Sequence, residues 1–423
     1  ASVQSATVTR EQASTLFWIN LSIGAMLSLF ALALGPLIAV FYHEPRVILI
    51  TSVIAVSFVL SGATTQHWAL LQRQMRFPAL AAIDIVSFVI GAAIAIGMAA
   101  SGYGYWALVA MIVSFPFTTM LGVWLAAVWL PGPPRRGTGI RSMIGFGGTM
   151  TLNSLVFHVT YNAEKALLGR YWGAEAVGIY GRAYQLIRIP TDSLNSAVGE
   201  VAFAALSRIQ HDRQRVKRYF LKCYSAVIAL TLPLTIACAL FADELVHVVL
   251  GPKWNSAVDI FRILAPTILV FGVGNPLGWL LNALGRVDRL LKIGLVSAPL
   301  MIAGYVIGLP YGAVGVAAAY SVVMVLKVVP MSAWALRGTG ISLLDLLREI
   351  TRPLASSLAA AALAFGVDLI YGPMLSPFAR LAAETTVFGA TYLALLLFVA
   401  GQKSFYLDLF RALKAAPWRE EAV

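Results

Sequence analysis

Charge is what this sequence has least of. Only 12% of its 423 residues are charged and 59% are hydrophobic, where a soluble domain carries roughly 25% and 45–50%. That excludes a water-soluble globule. Cysteine is nearly absent too: Cys223 and Cys238 lie fifteen residues apart in one apolar stretch, too far along a helix to bond each other. His67 and His158 have no His, Cys or carboxylate at ligand spacing, so no metal is expected. No GxxxxGK[ST] loop is present, and no break between apolar runs exceeds about twenty residues, too short for a catalytic or nucleotide-binding domain. No cofactor is expected, and transport would have to draw on a gradient or on the cargo's own concentration difference.

What fills the chain instead is a series of apolar runs of membrane-crossing length. Eleven are plain: Ser14 to Val40, Val47 to Leu71, Ala79 to Ala100, Tyr105 to Leu130, Met143 to Asn162, Tyr219 to Phe241, Val258 to Ala283, Leu291 to Leu309, Ala313 to Leu336, Pro353 to Tyr371 and Leu381 to Ala400. A twelfth, Val177 to Leu206, carries Arg182, Arg188, Asp192 and Glu200 and fails on hydropathy alone. Charge decides in its favour. If it spans, every second break is basic: Arg73 and Arg76; Arg135, Arg136 and Arg141; Arg208 through Lys222; Arg286, Arg289 and Lys292; Arg337, Arg348 and Arg352; and the tail. Basic breaks face the cytoplasm. The net charge of +12 therefore reads as topology, not as nucleic-acid binding, and both termini are placed inside. In the tail, Phe405 to Lys414 sets Phe405, Leu409, Phe410 and Leu413 on one side, as an interfacial anchor would.

The chain also resembles itself. LLQRQMRFPALAAIDIVS is echoed by LNALGRVDRLLKIGLVSA, and SGYGYWALVA by LPYGAVGVAA, about 210 residues downstream. The second copy would hold six spans and the first only four, so the expected parent has fourteen: two parallel six-helix repeats and a final pair. The fold expected is an all-α integral membrane protein, with twelve helices here in two pseudo-symmetric lobes around a central cavity. Residues 1–130 form the N-terminal lobe, 131–142 a cytoplasmic linker, 143–337 the C-terminal lobe, and 338–423 the final helix pair and amphipathic tail.

Charges inside spans are costly and point to function. At 100° per residue, Gln185, Arg188, Asp192, Asn195, Ser196 and Gly199 share one face of the doubtful helix, with Ile187, Leu194, Val198 and Val201 opposite. On the preceding helix Thr151, Ser154, His158, Tyr161 and Lys165 form a second polar stripe, and the two could line a watery path. The alternative is that Arg182 and Lys165 snorkel to the interface and the other polar groups satisfy one another. Pro190 would kink its helix and serve as a hinge. Asp84 and Lys327, also inside spans, are either cavity residues or lie near inner helix ends.

The block LLGRYWGAEAVGIYGRAYQLIRIP, followed by AFAALSRI and preceded by the opening EQASTLFWINLSIG, resembles the Wzx-like polysaccharide flippases of the multidrug/oligosaccharidyl-lipid/polysaccharide exporter superfamily. The resemblance runs from about Thr9 to the last span. It implies a non-enzymatic transporter of the bacterial inner membrane. Its cargo would be undecaprenyl-diphosphate-linked oligosaccharide units, moved to the periplasmic leaflet by alternating access for exopolysaccharide or lipopolysaccharide synthesis. Its partners would be the lipid-linked oligosaccharide, membrane lipids, and a polysaccharide polymerase with its co-polymerase. Arg182 falls in the motif, and Glu164 stands where relatives often have Asp after Asn. Guanidinium groups suit a diphosphate, which accepts two parallel hydrogen bonds. The expected head-group site is thus Arg188, Arg182 and Lys165, with Gln185, Asn195 and His158 beside it, and Asp192 or Glu164 carrying a coupling ion. A multidrug exporter of the same superfamily is the alternative. A glycan polymerase or ligase is a weaker one, since it would want a long, charged outer loop that the chain lacks.

Overall fold

The computed structural model describes residues 9–134, 155–156, 158–371 and 374–402, and among them every regular element is helical. The chain forms two compact units, which divide at Leu155/Val156.

The first unit holds α1 (Arg10–Tyr42), α2 (Arg46–Arg73), α3 (Phe77–Ala100) and α4 (Trp106–Ala127). Thr9 starts α1 with a reciprocal cap: its hydroxyl accepts from the Gln12 amide at 3.2 Å, and the Gln12 side chain accepts from the Thr9 amide at 3.0 Å. Short connections make sequential helices antiparallel neighbours, so α1 packs on α2 and α3 on α4, while α2 also meets α4. Lipid tails are as apolar as leucine, so such helices associate through close backbone approach. Gly24 and Gly62 provide it: a Cβ at Gly24 would sit 2.5 Å from the Phe58 carbonyl, and one at Gly62 2.6 Å from that of Asn20. At one end the unit closes on an aromatic knot in which fully buried His67 stacks on Trp124 at 4.5 Å and bonds the Trp129 carbonyl at 3.1 Å. Met26, Leu29, Phe30 and Leu125 stay exposed, as residues facing acyl chains do.

The second unit contains α5 (Ala163–Tyr171), α6 (Gly173–Arg208), α7 (Arg213–Leu240), α8 (Ala242–Val249), α9 (Ser256–Leu264), α10 (Pro266–Ala283), α11 (Val287–Gly308), α12 (Gly312–Leu336), α13 (Leu343–Tyr371) and α14 (Pro377–Ala394). Its centre is a column of fully or nearly fully buried tyrosines, Tyr180, Tyr184, Tyr305 and Tyr320, with ring centroids about 6 Å apart. The basic breaks have a second use: the Arg286 guanidinium donates to the carbonyls of Arg337 and Gly338, both at 2.9 Å, and Lys217 pairs with Asp345 at 2.6 Å. The arginine of a basic break thereby also caps a helix end.

Nine stretches among the described residues are long and apolar enough to cross a membrane, and one of them, Val287–Leu336, comprises both α11 and α12. The doubtful span is real helix: α6 runs unbroken for 36 residues across it, about 54 Å and so longer than the ~30 Å hydrocarbon layer. One run expected as a single span, Val258 to Ala283, is two helices joined at Ala265, because Pro266 starts the second. The Met143 to Ser154 part of the fifth span, most of the linker and the Phe405 to Lys414 tail lie outside the described residues.

Candidate functional site

The helical register of α6 puts Tyr180, Ala183, Tyr184, Ile187 and Thr191 on the face that is buried against the tyrosine column. The apolar face expected from angles is rotated from this: Ile187 is buried, but Leu194 and Val198 are only half-buried and Val201 is 57% exposed. Tyrosine explains the difference. Its ring packs like an aliphatic side chain, so a residue that counts as polar in a sequence becomes the core of the helix face. Gln185, Asp192 and Ser196 are exposed, and Arg188 and Asn195 are half-buried, so the polar stripe remains open along much of the helix within this unit.

Three cations from three helices gather on two rings at the edge of the tyrosine column. Lys165 Nζ of α5 lies 5.6 Å from the Tyr184 centroid, and Arg188 Cζ of α6 lies 6.0 Å from the same ring. Lys327 Nζ of α12 lies 5.6 Å from the Tyr161 ring. Each distance is within the range where a ring's negative face attracts a cation. The two expected polar stripes thus meet at Tyr184. That residue's own place in the site had no polar-stripe signal, because it belongs to the buried face.

Arg188 is not free. Its Nε and Nη2 both donate to Asp192 Oδ2, at 2.9 and 2.8 Å, one turn further along. The two residues expected to hold different ligands therefore hold each other. The pair is open all the same, with 42% and 58% of the side chains exposed. An exposed pair at this spacing contributes only ~0.3–0.5 kcal/mol. Lys165 donates to Asn162 Oδ1 at 3.0 Å, a neutral partner.

The other expected residues stand apart. Arg182 is exposed and donates to Gln185 Oε1 at 2.9 Å; six residues before Arg188, it is about 9 Å away along the axis and 120° around it. Asn195 accepts from Trp279 Nε1 at 3.1 Å, and Gly199 leaves the space that this indole occupies. His158 is exposed, and its backbone carbonyl accepts from the Asn162 side chain. Pro190 sits inside continuous α6. Asp84 is exposed on α3. Glu164 is the outlier: it is 1% exposed, neither carboxylate oxygen has a hydrogen-bond partner, and the nearby Tyr180 hydroxyl has none either. A buried carboxylate without partners demands a cation or a proton.

Residues 1–259 match the family described as polysaccharide biosynthesis protein. Teichuronic acid biosynthesis protein TuaB of Bacillus subtilis (strain 168) is 30% identical over 68% of this chain and 60% of its own length. Lipopolysaccharide biosynthesis protein WzxC of Escherichia coli (strain K12) is 26% identical over 77% of this chain and 67% of its own. The chain thus spans about three fifths of TuaB. Among solved structures, the lipid II flippase MurJ in an inward closed conformation superposes with a TM-score of 0.74 over 96% of this chain and 86% of its own, at 14% identity. That likeness gives the fold. With the family matched over more than half of its residues, the chain belongs to the polysaccharide biosynthesis protein family of multi-pass membrane proteins.

Proposed function

We propose that the chain moves undecaprenyl-diphosphate-linked oligosaccharide units from the cytoplasmic to the periplasmic leaflet of the bacterial inner membrane by alternating access, without chemistry on the cargo. The observation that supports this best is the gathering of Lys165, Arg188 and Lys327 on the Tyr161 and Tyr184 rings inside the membrane-spanning unit. Fixed positive charge within a bundle calls for an anionic partner. A diphosphate would take two parallel bonds from Arg188 in place of Asp192, with the lysines completing its neutralisation. Glu164 would carry the coupling proton or sodium ion, and Pro190 would let α6 bend between states. The termini would lie in the cytoplasm, a reading that the basic breaks support. A polymerase and co-polymerase would receive the product.

A cationic drug as cargo is disfavoured by the same three cations. Replacing Arg188 with Ala in a polymer-producing strain should lower surface polymer by about tenfold or more, the equivalent of one lost charged contact, while the amount of protein in the membrane fraction stays constant. Normal polymer yield would discard the diphosphate site.

A further inference from the structure

The final helix pair carries a polar centre that the transport reading leaves unused. α14 packs on α13, α8 and α7. Where α13 ends and α14 begins, a cavity of about 200 Å³ is lined by the charged residues Asp243, Glu244, Arg262, Asp368, Arg380 and Glu384, with Leu240, Phe241 and Phe365 between them. Arg380 is its hub. Its Nε and Nη2 donate to the two oxygens of Asp368 at 2.6 and 2.8 Å, Nε also donates to Glu384 Oε1 at 3.1 Å, and Nη1 reaches Glu244 Oε1 at 3.1 Å. Asp243 and Arg262 pair with each other. One guanidinium is therefore left facing three carboxylates, and no further cation lines the cavity among the described residues.

The unmatched charge has an address. Glu384 is 2% exposed and its Oε2 has no hydrogen-bond partner. Asp368 Oδ1 and Glu384 Oε1 accept from the same nitrogen of Arg380, at 2.6 and 3.1 Å, which brings the two carboxyl groups side by side. Two carboxylates that share a buried site cannot both stay ionised without repulsion; one proton between them turns the repulsion into a hydrogen bond. A metal ion would need a prepared ligand set, and no group of three or more His, Cys, Asp or Glu among the described residues is placed to hold one.

We propose that this centre is a proton-binding site: one exchangeable proton rides on Glu384 Oε2, shared with Asp368, and fastens α14 to α13 and α8. On the topology proposed above, the cavity lies at the outer end of these helices, so the proton is exchanged with the periplasmic side. The site is separate from the cation cluster, and its test does not depend on the cargo.

The purified full chain in lipid nanodiscs should show the infrared C=O stretch of a protonated carboxylic acid at neutral pH, bleached as the pH is raised. Glu384→Gln should remove that band, whereas Glu164→Gln should leave its Glu384 component in place. Thermal unfolding should report the same proton. The wild-type Tm should fall at alkaline pH as the proton is lost, and Glu384→Gln, whose amide supplies a permanent donor, should keep a near-wild-type neutral Tm and lose the alkaline fall. A band absent from the wild type, or unchanged in Glu384→Gln, would overturn the proposal. If Glu384→Gln does not fold, Asp368→Asn decides: a shifted band position supports the shared proton, and an unshifted one refutes it.

Discussion

Arg188 has three relationships at once: two hydrogen bonds to a single oxygen of Asp192, the face of Tyr184, and 42% exposure. Each depends on the shape of a guanidinium as well as on its charge. Lysine would keep the charge and lose both the fork and the flat stacking surface. Arg188→Lys should therefore retain more polymer export than Arg188→Ala but less than the wild type, measured as surface polymer at equal protein level. Equal export from Arg188→Lys and the wild type would mean that charge alone matters. The sequence marks Arg188 because a span interrupted by arginine is anomalous in itself. It marks Tyr184 not at all, because tyrosine is common in such blocks and only packing tells a buried ring from a lining one. Lys327 stands between: its position inside a span is visible, but its convergence with Lys165 across 162 residues of chain is a tertiary fact.

Helices in this chain hold together by two different devices. In the first unit, α1 and α2 touch through glycines with no room for a side chain. Gly62→Val would drive a branched side chain into the α1 backbone, overpacking that costs ~1–3 kcal/mol. Its Tm should fall, with membrane insertion retained, while a valine at Gly97, which has nothing within 4 Å of its Cβ position, should leave Tm near the wild-type value. In the second unit α11 and α12 also meet at glycines, Gly308 and Gly315, and the tyrosine column adds large side chains as a second device. Span positions were legible from hydropathy because the bilayer sets the length of every crossing. The rotation of α6 was not, because the angular pattern treats Tyr180 and Tyr184 as neutral, and it is they that the helix buries. Pro266 shows a similar limit: a proline within an apolar run either kinks a helix or starts a new one, and neighbouring helices select which.

For the molecule as a whole, the proposed direction of transport and the side of the Glu384 site both follow from topology. A cysteine placed at Arg213, which is exposed at the start of α7, should react with a membrane-impermeant thiol reagent in inverted vesicles and stay unlabelled in intact cells. Labelling from outside would reverse the orientation. The sequence by itself determined the class of structure, because so little charge spread over so long a chain has only the bilayer as a solvent. The apolar runs also told where most membrane-length helices lie, and the alternation of basic breaks is what supports the proposed orientation. Only the tertiary structure decided which charges act together. Lys165, Arg188 and Lys327 converge, Arg182 stays apart, and Asp192 neutralises the guanidinium that had been assigned a different partner. It alone also placed Asp368, Glu384 and Glu244 around Arg380. The physical reason is range: the cost of entering a bilayer is summed residue by residue along the chain, whereas the meaning of a buried charge depends on what other helices bring within a few ångströms.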